Sequence, residues 1–286
     1  MTEESGPEIS GRWQRIDSTG DSDSFVAYLD RGAEILRDSR MEVIRLLEFD
    51  AGCSVLDVGS GAGEFLIEVA SRVEGLRAVG IDFSESMVKT ARSRAQEAGV
   101  VVEFATGDAH RLDFPDESFD RVNCSRVLLH LNDPAAAIGE MARVLVPGGR
   151  VAIVEPDHDA LMIDSDNLKV ARAVRRQVTA GLRNPDIGRR LRRLLLASGL
   201  ELLRLSGMAF PLTSLQTAVD HLHLFGHLES AVKAGDIDAN EANEWRTWLE
   251  RADAADRFFV TGILFQAVAK KPLRPGTDTA VATPSG

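Results

Sequence analysis

A glycine turn between a strand and a helix, in residues 55–64 (VLDVGSGAGE), constrains the fold of this chain more than any other feature. The first four of these residues form a short, mostly apolar run that is typical of a buried strand. Glycines at alternate positions follow, and glycine permits a left-handed backbone and the close approach of a ligand. A helical pattern begins at Glu64. Strand, turn and helix together predict the first unit of a nucleotide-binding α/β domain.

The rest of the chain repeats this alternation of short strands and amphipathic helices. Strands are predicted near residues 53–58, 77–82, 101–106, 119–124, 149–155, 200–205 and 257–269, and helices near residues 23–48, 62–73, 85–98, 133–145, 165–199 and 212–253. Strands joined by helices lie parallel in one sheet. The pattern therefore predicts an α/β fold with a doubly wound, mostly parallel, seven-stranded Rossmann-like sheet.

Composition argues against several classes of partner. The 286 residues carry a formal net charge of −11, which disfavours binding to nucleic acid or to anionic membranes. The chain has no apolar run long enough to span a membrane. Cys53 and Cys124 accompany predicted core strands and are expected to be buried, reduced thiols. With an acidic, polar N-terminus, these features predict a cytoplasmic protein.

Three acids follow three successive predicted strands. Asp57, Asp82 and Asp108 stand at the carboxyl ends of these strands, where ligands of open α/β sheets bind. A carboxylate at Asp82 can accept hydrogen bonds from two ribose hydroxyls, and one at Asp108 can meet the polar edge of an adenine ring. Asp57 can orient the glycine turn or accept a hydrogen bond from a ligand ammonium group.

The same turn is poorly suited to phosphate. A dinucleotide fingerprint needs a third glycine or small residue where Glu64 stands. Glu64 and Asp57 flank the turn and would repel a pyrophosphate. A P-loop is excluded because the turn lacks the G-K-S/T sequence. The acids favour a cationic nucleoside without phosphate.

Four segments together resemble a known family. They are VLDVGSGAG (55–63), GIDFSESM (80–87), GDA (107–109) and RVLVPGGR (143–150), and their order and spacing are similar to those of the class I S-adenosylmethionine-dependent methyltransferases. Within that class the chain resembles the small-molecule branch related to ubiquinone/menaquinone-biosynthesis and bacterial natural-product methyltransferases. The resemblance covers about residues 40–156. It implies S-adenosylmethionine as cofactor and S-adenosylhomocysteine as product.

The resemblance also implies a role for particular residues. Gly59, Ser60 and Gly61 would pass under the methionine part, with Asp57 beside them. Asp82 would hold the ribose hydroxyls. The remaining implied contacts are Phe83 and Met87 flanking the adenine, Asp108 and Ala109 at its amino edge, Ser125 facing the sulfonium, and Arg37 reaching the methionine carboxylate.

The predicted organisation is a single methyltransferase domain over residues 21–271. It comprises N-terminal helices (21–50), a cofactor-binding core (51–156) and, before the last strand, a helical insertion (212–253) expected to cover the ligand as a lid. Residues 1–20 and the tail, 272–286, are predicted to be disordered.

Four histidines and one tyrosine are the candidates for catalysis and acceptor binding. His130 follows the fourth strand and is the candidate base. Tyr28, His158, His221 and His223 are candidate substrate contacts. On one continuous helix, His221 and His223 would point to different sides. No third ligand is expected to accompany the histidines of the insertion, so no metal site is predicted.

The sequence leaves several alternatives open. The expected partner is a small molecule whose acceptor atom is carbon, oxygen or nitrogen, and a homodimeric assembly is compatible with the sequence. An NAD-dependent oxidoreductase and a cofactor-binding protein that does not methylate are the competing interpretations. A cyclase that uses the cofactor only as a bound charge is a third.

Overall fold

A seven-stranded sheet forms the centre of the protein in a computed structural model, which describes residue 17 and residues 22–274. The strands are β1 (Ser54–Val58), β2 (Arg77–Asp82), β3 (Glu103–Thr106), β4 (Phe119–Ser125), β5 (Leu145–Ile163), β6 (Glu201–Leu212) and β7 (Val260–Lys270). Their order across the sheet is β3-β2-β1-β4-β5-β7-β6. Strand β7 runs antiparallel to β5 and β6, whereas β1 to β5 pair in parallel. The predicted doubly wound, mostly parallel sheet is confirmed.

Helices cover both faces of this sheet. They are α1 (Ser22–Ile35), α2 (Arg37–Leu47), α3 (Glu64–Ala70), α4 (Glu85–Glu97), α5 (Pro134–Val144), α6 (Leu168–Ala180), α7 (Ile187–Ala197), α8 (Leu215–Leu222), α9 (Leu224–Lys233) and α10 (Ala239–Ala254). Alternate strand residues face opposite layers. Leu56 packs in one buried cluster with Ile138 and Leu191, whereas Val55 packs in another with Leu66. This accounts for the nearly continuous apolar strands in the sequence.

The helical insertion lies between β6 and β7, where the sequence places it, as helices α8, α9 and α10. These helices share a third buried cluster with α6. Trp245 is 1% exposed at its centre, and its indole Nε1 donates a hydrogen bond to Ser165 Oγ at 2.8 Å. The insertion is thus fixed to the domain by its own apolar core.

The order of the strands creates a crevice. Strands β1 and β4 are neighbours, and the chain proceeds outward from them in opposite directions. Loops leaving their carboxyl ends therefore diverge to opposite faces, which leaves an opening between them.

Strand β5 is longer than the sequence predicts. The residues PGG (147–149), at the predicted start of the strand, lie inside it as an irregularity, where the pairing shifts from Phe119–Leu145 to Arg121–Arg150. Gly148 supports it with a φ of +81°. A second irregularity, beyond the predicted end of the strand, allows β5 to continue to Ile163 and includes His158.

The disorder predicted for residues 1–20 and 272–286 falls almost entirely outside the described residues. Asp17 is described, and its carboxylate accepts hydrogen bonds from Ser84 Oγ and from the backbone N–H of Glu85 at the start of α4. In the described part of the chain, no helix has both the length and the apolar character required to cross a membrane. Cys53 and Cys124 are buried free thiols, as expected.

Candidate functional site

A cavity of about 640 Å³ lies over the carboxyl ends of β1, β2, β4 and β5, beneath α1, α2 and the helical insertion. Its carboxylates come from the β1–β3 side of the sheet, and we call this part the acidic half (Asp57, Glu64, Asp82 and Asp108). Its other charged or ionisable groups come mainly from the ends of β4 and β5 and from the insertion, and we call this part the basic half (Arg126, His130, His158, His221, His223 and His227).

The glycine turn forms the floor of the acidic half. Gly59, Gly61 and Gly63 have φ values of +74°, +52° and +89°. A Cβ on Gly59 would lie 2.2 Å from Val127 Cγ2, so only glycine fits there. The backbone N–H groups of residues 59 and 60 both donate to Ile81 O at 2.8 Å, which ties the turn to β2.

Asp82 holds the turn from the end of β2. Its carboxylate accepts a hydrogen bond from Gly61 N at 2.8 Å and another from Ser84 N at 2.9 Å. Burial raises the pKa of Asp82, and these two backbone donors act in the opposite direction. Because each carboxylate oxygen has a second acceptor position, a ribose hydroxyl can still be bound.

Asp57 lies beneath the turn and is 3% exposed. Its Oδ1 accepts a hydrogen bond from Asn123 Nδ2 at 2.7 Å. Burial raises its pKa to about 7, and the negative charges of Glu64 and Asp82 act in the same direction. Glu64 is in turn held by Arg94 at 2.8 Å. A cationic ligand group near Asp57 would favour its ionised form.

Asp108 closes the acidic half at the end of β3. It accepts hydrogen bonds from the backbone N–H of His110 at 2.8 Å and contacts the His110 ring Nδ1 at 2.7 Å. Partial burial acts to raise the pKa of Asp108, but the hydrogen bonds from His110 prevail and lower it. The carboxylate is therefore ionised and oriented at neutral pH.

The other predicted cofactor contacts divide into those that line the cavity and one that does not. Met87 is 1% exposed, whereas Phe83 is 64% exposed with a free aromatic face. Both line the cavity, as do Ser60, Ala109 and Ser125. Arg37, predicted to reach the ligand, is exposed and lies outside the lining, so the structure does not support that prediction. Arg40, one turn later in α2, lines the cavity instead.

All six histidines of the chain line the cavity, including His110 and His227, which the predicted site omits. Burial lowers the pKa of His130 to about 3, and the neighbouring His158 and the positive charges of Arg126 and Arg183 lower it in the same direction. Burial likewise lowers the pKa values of His158, His221 and His227 to about 4. These imidazoles are neutral at physiological pH, so His130 is a far weaker base than its proposed role requires.

Tyr28 and two histidines connect α1 to the insertion. The ring of Tyr28 stacks on the ring of His221 with centroids 5.3 Å apart, and its centroid lies 6.4 Å from that of His223. The prediction that His221 and His223 point apart on one helix is wrong, because α8 ends at Leu222. His223 adopts a left-handed conformation between α8 and α9, which brings both rings to the cavity.

Sequence reasoning also missed Arg126, next to the predicted Ser125. Its backbone has a φ of +60°, and its side chain lines the cavity between α1 and the end of β4. Only its place directly after a predicted strand pointed to it. In the described residues, no group of three or more histidine, cysteine, aspartate or glutamate side chains could hold a metal ion.

Three proteins of known sequence are similar to this chain. The chain is 38% identical over 249 residues to an uncharacterized 37.1 kDa protein in a transposon of Streptomyces fradiae, covering 86% of this chain and 71% of that protein. It is 42% identical over 101 residues to a demethylmenaquinone methyltransferase of Deinococcus radiodurans, but this match covers 35% of this chain and 42% of the enzyme. It is 37% identical over 134 residues to the uncharacterized methyltransferase YcgJ of Bacillus subtilis, covering 44% and 52% of the two chains.

A solved structure and a family model complete the comparison. The crystal structure of Bacillus subtilis YcgJ superposes with a TM-score of 0.53 at 24% identity, covering 82% of this chain and 99% of YcgJ, which supports the fold. A family model described as a methyltransferase domain matches residues 49–205. These residues contain the glycine turn and all four carboxylates of the acidic half. The chain belongs to the family of S-adenosylmethionine-dependent methyltransferases.

Proposed function

We propose that this protein transfers a methyl group from S-adenosylmethionine to a small-molecule acceptor. The observation that carries the proposal is the single cavity shared by the acidic half and the basic half. One half offers carboxylates to a cationic nucleoside, and the other offers room beside it for a second molecule. A concave cavity beneath helices, on a chain of net charge −11, favours a small acceptor over a nucleic acid.

In this proposal the acidic half holds the cofactor. Asp82 accepts hydrogen bonds from the ribose hydroxyls, and Asp57 accepts one from the methionine ammonium group. Ser60 Oγ and Asn123 Oδ1 are buried in the cavity wall with no hydrogen-bond partner, so both are available to a polar ligand. A cationic nucleoside without phosphate fits these groups, because it avoids the repulsion between a pyrophosphate and the carboxylates of Asp57 and Glu64.

Two further groups extend this arrangement. Phe83 presents its exposed ring to the adenine, with Met87 beneath and Asp108 and Ala109 at the amino edge. Arg40 takes the role that the sequence assigns to Arg37. Its Nη1 donates to Ala33 O at 2.9 Å, and its buried Nε has no partner, so it can bind the methionine carboxylate.

When bound, S-adenosylmethionine supplies a methyl group on a positively charged sulfur that is already a good leaving group. The protein's contribution is then alignment and exclusion of water rather than strong base catalysis. The neutral, weakly basic state of His130 agrees with that role. An electron-rich ring carbon or an amine, which needs little activation, suits this cavity better than an unactivated alcohol.

The test is a labelled-methyl screen. Purified protein is incubated with S-adenosylmethionine carrying a deuterated methyl group and with fractionated small-molecule extract, and products are detected by mass spectrometry. We expect a labelled product with the wild-type protein and its loss in Asp82→Ala. Binding of S-adenosylhomocysteine without any labelled product across the screen would favour a cofactor-binding protein that does not methylate. Tight binding of NAD without binding of S-adenosylhomocysteine would overturn the proposal.

A further inference from the structure

Arg126 is held in the cavity by an unusual backbone conformation. A non-glycine residue at a φ of +60° is strained, because its Cβ crowds the backbone. Two contacts offset this. Arg126 N donates to Val154 O at 2.8 Å, and the next two backbone N–H groups donate to buried Glu155 Oε1 at 2.8 and 2.7 Å. These contacts turn the chain sharply at the end of β4 and direct the Arg126 side chain under α1.

Arg126 is partly exposed where it lines the cavity, and its guanidinium has no counter-ion in the described residues. Its Nε is buried without a hydrogen-bond partner, and no carboxylate lies within ion-pair distance of the group. Its Nη1 lies 2.6 Å from where a Cβ on Gly32 would stand, so the guanidinium packs directly against α1 at that glycine. The ring of His221 approaches the same point within 3.4 Å.

The surroundings leave this positive charge uncompensated. His130, His158 and His221 are neutral because burial lowers their pKa values. Glu155 does not neutralise the charge either, because burial raises its pKa to about 8 and it is mostly protonated at neutral pH. A cation whose donor is buried without a hydrogen-bond partner in the described residues is unfavourable when no anion accompanies it. An anionic ligand group would remove that penalty.

We propose that the acceptor molecule carries an oxyanion, a carboxylate or a phosphate, which binds to the guanidinium of Arg126. This inference rests on the proposed function and specifies its substrate class. Arg40 lies near Glu64 of the acidic half and near enough to Arg126 for their charges to repel, and it is assigned to the cofactor. Arg126 lies near His130 in the basic half. Apolar side chains also line the cavity, among them Leu131, Val178, Leu182, Phe210 and Leu264. The acceptor is thus a largely apolar molecule with one anionic group.

The experiment measures binding of benzoate, phenyl phosphate and benzamide by calorimetry, both to free protein and to protein saturated with S-adenosylhomocysteine. Benzamide has nearly the shape of benzoate without its charge. We expect at least one anion to bind at least about tenfold more tightly than benzamide, as a charge-assisted hydrogen bond predicts. Whether benzoate or phenyl phosphate binds more tightly identifies the anion.

Variants assign this preference to one residue. The quantity compared is the ratio of the dissociation constant of benzamide to that of the tighter-binding anion. In Arg126→Gln this ratio should fall to near one, and Arg126→Lys should recover part of it. Arg37→Gln removes a charge from α2 outside the cavity lining and should leave the ratio unchanged. Thermal unfolding of each variant identifies any loss of fold, and the partial rescue by lysine separates charge from packing.

Three outcomes overturn the inference: equal binding of the anions and benzamide, no saturable binding of either anion, or an anion preference that survives in folded Arg126→Gln. A fourth is that Arg126→Gln weakens S-adenosylhomocysteine binding and leaves benzoate binding intact, which would assign Arg126 to the cofactor. Failure of S-adenosylhomocysteine to bind at all is a different result. It removes the proposed function, while the anion preference is still measured on the free protein.

Discussion

The two halves of the cavity differ in the charge that they can accept. In the acidic half, short strands end in carboxylates that are held by backbone N–H groups and by Asn123. In the basic half, neutral histidines surround the unpaired guanidinium of Arg126. The first environment suits a cation, and the second suits an anion. In the proposed function, these two environments would bind two dissimilar molecules side by side.

The two halves also differ in how far apart in the sequence their residues lie. The acidic half is built from three consecutive strand ends and one turn, all within residues 55–109. The basic half collects side chains from the ends of β4 and β5 and from the insertion, and its residues extend from 126 to 227. A donor site of the first kind is shared across a family, whereas a site of the second kind can vary with the insertion.

The halves meet where Gly59 lies against Val127, and Gly59→Ala should have the largest effect. The new Cβ would overlap Val127 and would occupy a left-handed conformation. We expect the free energy of unfolding, measured with urea, to fall by about 3 kcal/mol or more. Gly139→Ala, in open space on α5, should stabilise the protein by roughly 0.5–1 kcal/mol. A fully stable Gly59→Ala variant would break the account of the turn.

Asp57→Asn, which removes the buried carboxyl of the acidic half, should change how the free energy of unfolding depends on pH. The folded pKa of about 7 lies above the unfolded value of 3.8, so the stability that Asp57 contributes is present below pH 4 and is lost as the pH rises to 7. The variant should equal the wild type near pH 4 and exceed its free energy of unfolding by roughly 2–4 kcal/mol at pH 8. Parallel stability curves from pH 4 to 8 would contradict this. S-adenosylhomocysteine should bind more weakly to the variant at pH 8.

Asp82→Ala should affect the binding of one ligand in the acidic half and leave the binding of another in the basic half. Loss of the ribose acceptor and of support for the turn should weaken S-adenosylhomocysteine binding by roughly 1–3 kcal/mol, about 5- to 150-fold. Binding of the anionic probe to the basic half should change little. Asp113→Ala removes an exposed carboxylate outside the cavity and serves as the control. Calorimetry with both ligands measures the difference, and an equal loss of both would erase the division into halves.

Tyr28→Leu tests the cover of the basic half and should have the smallest effect. It removes the stacking of Tyr28 on His221 and should lower the free energy of unfolding by about 1 kcal/mol. Tyr28→Phe keeps the ring and should lose less than half of that. Equal losses in the two variants would show that the ring stacking contributes nothing to the attachment of α1.

The acidic half was predictable because its signals are local. The apolar strand, the glycines and the acids occupy adjacent positions in the sequence, and the strands end where the pattern ends. Within residues 55–109, each cofactor contact named from the sequence lines the cavity.

The basic half was predicted in part, because tertiary contacts determine it. His130, His158, His221 and His223 were named from their positions, but the break of the helix at His223 was not foreseen. No local pattern indicates that Arg126 adopts a left-handed conformation, since the contacts that favour it come from Val154 and Glu155 on another strand. Arg37 was named and Arg40 was missed, because the spacing of charges on a helix does not show which side chain faces a cavity.

A crystal structure with S-adenosylhomocysteine bound tests the central claim most directly. We predict that the ribose hydroxyls lie within hydrogen-bond distance of Asp82, that the ammonium group faces Asp57, and that the sulfur points across the cavity toward Ser125 and the basic half. An adenosine moiety seated among His130, His158 and Arg126, with the acidic half free of ligand, would contradict it.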